Sequence, residues 1–234
     1  MRTRLYVWVL AAVAAAASAG PASAQFITMR FGTGGLPAAV PGSLVLTGAP
    51  GGTVAVQVFL TDSDTTLRTQ NGLRGAGVGV QTANSAVANV LTTSDVAANP
   101  EFQGFAPVIN ATPAAGNASV QNTAFPTPVQ MHQQGTTPTA AAPDYVLVGT
   151  FTFHIPAGAT GSAPLSLFDW QGGSSVNNQS GTGTNLDTQP GMFADTATLN
   201  VTPVPEPSGL ALAGLAATGL FARRRRLRAI ATQA

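Results

Sequence analysis

The stretch Tyr145-Val146-Leu147-Val148-Gly149-Thr150-Phe151-Thr152-Phe153-His154-Ile155 decides the fold. Its side chains alternate, with Tyr145, Leu147, Phe151, Phe153 and Ile155 on one face and Val146, Val148, Thr150, Thr152 and His154 on the other. A repeat of two is the period of a β-strand. Residues 53–60 show it again, with Val54, Val56, Val58 and Leu60 opposite Ala55, Gln57 and Phe59. Shorter runs of the same character lie at 26–31, 43–47, 73–81, 87–91, 165–168 and 197–201. Gly, Pro or Asn/Asp clusters such as Ala49-Pro50-Gly51-Gly52 and Pro156-Ala157-Gly158 bound them. Helical periodicity is nearly absent. Short strands between turn clusters predict an all-β body over residues 25–202, an antiparallel β-sandwich of jelly-roll type with one core.

Two stretches read as loops. Residues 99–143 hold seven prolines among Ala, Thr, Asn and Gln, and residues 172–191 are rich in Gly, Ser, Asn and Thr. A structureless loop of the first length is unusual in a compact domain, so a strand is expected near 102–109 or 125–131. Residues 73–81 place Gly75, Gly77 and Gly79 on one face against Ala76, Val78 and Val80. Val80 interrupts any Gly-x-Gly-x-x-Gly fingerprint. The glycine face marks close approach by a neighbouring backbone or a ligand.

Only 8% of the 234 residues are charged, against about 25% in ordinary soluble domains. There is no lysine and no cysteine, which excludes disulfides and thiolate metal sites. The arginines cluster at the ends: Arg2 and Arg4, then Arg223, Arg224, Arg225, Arg226 and Arg228. Between them, residues 25–203 carry three arginines and eight acids, a net of −5. An acidic, lysine-free body excludes nucleic acid as a partner, because neutralising phosphates requires clustered cations.

Both ends read as addresses. Arg2 and Arg4, an apolar run at 5–17 and small residues ending in Ala22-Ser23-Ala24 form the tripartite layout of a secretory signal peptide over residues 1–24. Signal peptidase, acting after the Sec machinery, would cut after Ala24 and leave Gln25 first. An uncleaved membrane anchor is the alternative. At the other end, residues 203–234 contain Val204-Pro205-Glu206-Pro207, fifteen uncharged residues at 208–222, then the arginines. As a helix the uncharged run would span roughly 22 Å, short of the roughly 30 Å hydrocarbon core. Snorkelling arginines and local thinning close that gap, predicting a transmembrane helix. Arg223 to Arg226 would act as a cytoplasmic stop-transfer by the positive-inside rule. A buried Ala/Leu/Gly helix with a solvated basic end is the other option. Pro205 and Pro207 hold the preceding segment extended and accessible.

This order of Pro-Glu-Pro motif, Gly/Ala/Leu helix and terminal arginines resembles the PEP-CTERM protein-sorting domain of Gram-negative bacteria. The resemblance implies an exosortase substrate, processed near the motif by an integral-membrane transpeptidase-like enzyme. It implies a surface or extracellular protein of a cell that also makes exopolysaccharide. The body, through Gly51 to Val58, Asn71-Gly72-Leu73 and Gly149-Thr150-Phe151-Thr152-Phe153, is similar to the cohesin-like and carbohydrate-binding β-sandwich group. That resemblance implies a binding or structural role and transfers no site residues.

Catalytic motifs are missing. His132 sits among glutamines in a loop, His154 shares a strand face with Thr150 and Thr152, and neither belongs to an H-E-x-x-H or Gly-x-Ser-x-Gly pattern. Asp169-Trp170 is an acid beside an aromatic that could meet a sugar ring, although a lone Trp also serves as core. Asp62 and Asp64 alternate at the end of a strand and could ligate calcium. The loop lacks the third ligand and glycine of an EF-hand, and a solvated turn is the preferred reading of the pair. No other cofactor is expected. Four Asn-x-Ser/Thr sequons, at Asn110, Asn117, Asn178 and Asn200, admit glycosylation.

The residues therefore predict an exported, non-catalytic surface or matrix protein. A carbohydrate- or protein-binding module acting in the exopolysaccharide matrix is the second reading. A secreted hydrolase using scattered carboxylates such as Asp169 is the third.

Overall fold

Two sheets face each other across one apolar core. The computed structural model describes residues 27–69, 72–170, 176–178 and 186–203. The predicted cleavage residues Ala22, Ala24 and Gln25, the motif Val204, Pro205, Glu206 and Pro207, the predicted transmembrane helix and Arg223 to Arg226 lie outside the described residues. Among the described residues no helix is long and apolar enough to cross a membrane.

The strands are β1 (Ile27–Thr33), β2 (Leu36–Pro37), β3 (Leu44–Gly48), β4 (Thr53–Asp62), β5 (Leu73–Thr82), β6 (Val96–Ala98), β7 (Val108–Thr112), β8 (Asn117–Thr123), β9 (Asp144–His154), β10 (Gly161–Phe168), β11 (Asn177–Asn178) and β12 (Thr196–Val201). One sheet runs β2-β1-β4-β9-β6, and the other runs β3-β12-β10-β5-β8-β7 with β11 pairing β5. Pairing is antiparallel except between β3 and β12, which run parallel with Leu44 opposite Ala197 and Gly48 opposite Val201. That pair corrects the wholly antiparallel expectation. Parallel neighbours need a long connection, and these two strands lie far apart in the chain.

Alternation puts Val56, Val58 and Leu60 of β4, Met29 and Phe31 of β1, and Ala163, Leu165 and Leu167 of β10 into the core. Each of these side chains other than Ala163 contributes about 1.5–3 kcal/mol on burial. At the glycine face of β5, close approach comes from the cross-strand neighbour: the Phe168 ring lies where a Cβ on Gly79 would sit.

The long stretch at 99–143 hides a hairpin. β7 and β8 pair Val108 with Gln121 through Thr112 with Asn117, around a 3-10 turn at Pro113–Ala115 closed by Gly116 at φ 65°. The strands fall between the two expected positions, overlapping only at 108–109. Residues 87–91 are not a strand. The Asn84 carbonyl accepts from the N–H groups of Val87 (3.0 Å) and Ala88 (3.2 Å), curling the segment into a turn. Its buried Val87, Ala88 and Val90 belong to the core.

β9 departs from simple alternation. Val146 and Val148 are buried, as are Phe151 and Phe153, while Tyr145, Leu147, Thr150 and Thr152 are only half-buried. The register shifts opposite Val58 and Phe59, which pair with Gly149 and Leu147, leaving Val148 as the extra residue of a β-bulge. Gly149 also points inward, since a Cβ there would lie 2.8 Å from Cγ1 of Val120 in the opposite sheet. The predicted face joining Tyr145 and Leu147 to Phe151 and Phe153 is therefore split, and the first two sit on the outer surface.

Candidate functional site

A bulge frees backbone carbonyls from the ladder, and buried carbonyls require partners. Two asparagines supply them. Asn122 of β8, facing inward, donates to the Val148 carbonyl at 2.7 Å. Asn99, just after β6, donates to the Leu147 carbonyl at 2.7 Å. Asn99 also holds the next acid in place: its Oδ1 accepts from Glu101 N–H at 3.1 Å, and its Nδ2 lies 3.2 Å from Glu101 Oε2. Glu101 in turn sits 2.9 and 3.1 Å from Nε2 of His132.

His132 is fixed by its backbone as well. It exchanges hydrogen bonds with Tyr145, N–H to carbonyl at 2.7 Å one way and 3.0 Å the other. The imidazole stacks on the Tyr145 ring with centroids 5.5 Å apart and planes 27° off parallel. Tyr145 meets Phe59 edge to face at 5.6 Å and 81°. Phe59 lies on the outer face of β4, yet it is buried, its ring close over Gly32.

Two depressions meet at Glu101 and His132. One, about 210 Å³, is lined by Gly35, Phe59, Asn99, Tyr145 and Leu147 together with that pair. The other, about 340 Å³, adds Gln103, Thr127, Pro128, Val129 and Gln130. Phe105 and Phe125, both exposed, stand beside it in the chain, and the Phe125 N–H donates to the Gln103 carbonyl at 3.0 Å. The groove offers ring faces for stacking and carboxylate, imidazole and amide groups for hydrogen bonding. Glu101 is the sole carboxylate among its described lining residues, whereas glycoside hydrolysis commonly needs a pair.

The other residues singled out by sequence lie elsewhere. Asp62 and Asp64 build a turn: Asp62 accepts from the N–H groups of Asp64 (3.1 Å) and Leu67 (2.8 Å), and Asp64 accepts from that of Thr66 (2.7 Å). Burial, with a side-chain hydrogen bond to Asp64, pushes the Asp62 carboxyl up to about 7. Burial pushes Asp64 the same way, but hydrogen bonds from Asp62 and Thr66 outweigh it and hold that carboxyl low. No group of three or more metal-ligating side chains occurs among the described residues. Across the strand pair, Arg68 forks onto the buried Asp144 and onto the carbonyls of Gly135 and Thr136, pinning the loop after His132.

His154 pairs with Asp95 at 2.8 Å. Asp95 also accepts from the N–H groups of Leu91 and Thr92, an arrangement that ties β9 to the turn before β6. Asp169 and Trp170 follow β10 in the other sheet and line neither depression. Sequence reading placed His132 in a loop but missed Glu101, Asn99 and Tyr145 as its neighbours. Gly149, inside an otherwise apolar strand, is the local signal of the bulge that assembles them.

Residues 203–226 match the family model described as PEP-CTERM protein-sorting motif. The chain is thus a two-sheet β-sandwich body followed by a PEP-CTERM sorting signal. No curated protein matches the sequence. Solved structures similar to it include the type I cohesin–dockerin complex of Clostridium thermocellum, at 10% identity and a TM-score of 0.47, covering 76% of this chain and 100% of that one. A complex of the sixth cohesin of Acetivibrio cellulolyticus scaffoldin B is similar at 15% identity and 0.45, covering 76% and 100%. A type III cohesin module from Ruminococcus flavefaciens is similar at 12% identity and 0.42, covering 76% and 89%.

Proposed function

We propose that this is an exported, non-catalytic surface or matrix protein, delivered by residues 1–24 as a signal peptide and sorted through residues 203–234 by an exosortase. The observation that carries the proposal is the sorting-motif match at 203–226, directly after the last strand of the sandwich. On this reading the chain is first held in the inner membrane with residues 25–202 outside the cytoplasm, then processed near Pro205-Glu206-Pro207. A chain ended after Pro203 tests it. That chain should leave the membrane fraction and appear as soluble protein outside the cytoplasm. Identical distribution of the shortened and full chains would contradict the role of the tail.

The groove favours a second, compatible reading, a carbohydrate-binding module of the exopolysaccharide matrix. Tyr145 and His132 supply stacked rings for the apolar face of a sugar, and Glu101 and the neighbouring amides supply hydrogen bonds. Binding sites commonly combine apolar walls with a few placed polar groups in this way. A glycan array read with the full chain and with Tyr145→Ala tests it. Glycans retained by the first and lost by the second support the groove, and a blank array contradicts it.

A further inference from the structure

A different pocket, at the β1 side of the same sheet, carries an inference of its own. It has a volume of about 470 Å³, and Ala39, Val40, Pro41, Ala140 and Ala194 give it small apolar walls. Arg30 forms its polar floor and is only 5% exposed. Few of the guanidinium's five donors are met by the described residues. Nη1 donates to the Ala140 carbonyl at 2.8 Å, while Nε is buried without a hydrogen-bond partner.

Asp195, which also lines the pocket, does not close that deficit. Its oxygens accept from the N–H groups of Phe31 (2.7 Å), Gly42 (2.6 Å) and Thr196 (2.9 Å). Among the described residues it makes no ion pair with Arg30. Burial accordingly lowers the Arg30 pKa, and the charge of Asp195 offsets this only in part. A buried cation with unmet donors is costly unless a partner arrives.

We propose that this pocket binds a small molecule or chain end bearing a single carboxylate. A carboxylate presents two coplanar acceptor oxygens that match the guanidinium fork. The alanine, valine and proline walls accept a short carbon frame beside it. Asp195 lies next to the one cation, so a monoanion suits the pocket and a dianion such as phosphate does not. Two sources share this chemistry, an acidic sugar of a polysaccharide and the carboxyl end of a peptide.

Calorimetric titration of the purified full-length protein tests the proposal with D-glucuronate, N-acetyl-L-alanine and their uncharged counterparts D-glucose and N-acetyl-L-alanine amide. At least one carboxylate should saturate, and neither uncharged probe should. Glucuronate alone would support a sugar acid, and N-acetyl-L-alanine alone a peptide end. Arg30→Gln should weaken binding at least tenfold. Ala194→Phe, at an exposed position, should fill the pocket with Arg30 untouched, weakening binding similarly with an unchanged melting temperature. The proposal is overturned if neither carboxylate saturates, if the uncharged probes bind as well, or if a folded Ala194→Phe protein binds like the parent.

Discussion

The side-chain amide of Asn122 crosses the sandwich to donate a 2.7 Å hydrogen bond to the carbonyl of Val148, the extra residue of the β9 bulge. Asn99 takes the adjacent Leu147 carbonyl from the same sheet. Both carbonyls are thus satisfied, and the bulge persists where straight pairing would have turned Tyr145 inward. The groove therefore depends on a polar contact inside the core.

Asn122→Ala should leave the Val148 carbonyl with only the long 3.4 Å contact from the Asn99 N–H. Losing the shorter hydrogen bond at an acceptor that keeps a second, longer one costs about 0.5–1.5 kcal/mol, so urea unfolding should show a loss in that range. A loss below about 0.5 kcal/mol would mean that the bulge does not need this amide.

Gly149→Ala should also destabilise the protein, because its new methyl would lie 2.8 Å from Cγ1 of Val120. Overpacking of this kind costs about 1–3 kcal/mol. Val120→Ala should rescue part of that loss in the double variant, and additive losses would show that the two positions do not collide.

The strands of the sandwich were legible from side-chain alternation because β10 and β12 bury one regular face, and the residues of β4 alternate in sequence although both of its faces are largely covered. β9 was legible as a strand, whereas its facing was not. A bulge shifts the inward set by one residue, and only Gly149 signals it locally. The β7–β8 hairpin escaped notice because its inward residues include Ala118 and Asn122, too small or too polar to mark an apolar face. His132 and Glu101 are 31 residues apart, and nothing local announces their meeting. It depends on the backbone pairing of His132 with Tyr145 and on Asn99.

The Asp62 carboxyl gives stability a pH dependence of known sign. Its folded pKa of about 7 lies above the ordinary 3.8, so the folded state binds the extra proton between those values. Its contribution to stability is present below about pH 4, is lost as pH rises towards 7, and is constant above that. Urea midpoints from pH 4 to 8 should reveal this component as the difference between the parent protein and Asp62→Asn. Parallel profiles for the two proteins would contradict it.

The groove should discriminate between ring and hydroxyl at Tyr145. Tyr145→Phe keeps the stack on His132 and the edge contact with Phe59, and should retain most of the affinity for any glycan bound there. Tyr145→Ala removes both contacts and should weaken binding at least tenfold, about 1.4 kcal/mol. Equal affinities measured by calorimetry for the two variants would place the sugar elsewhere.

Export followed by sorting is tested most directly by fractionation of the native cell with intact-mass measurement of the chain. The mature chain should be found in the surface or extracellular fraction, beginning at Gln25 and shortened near Pro205-Glu206-Pro207. A chain retaining both ends and confined to the cytoplasm would contradict it.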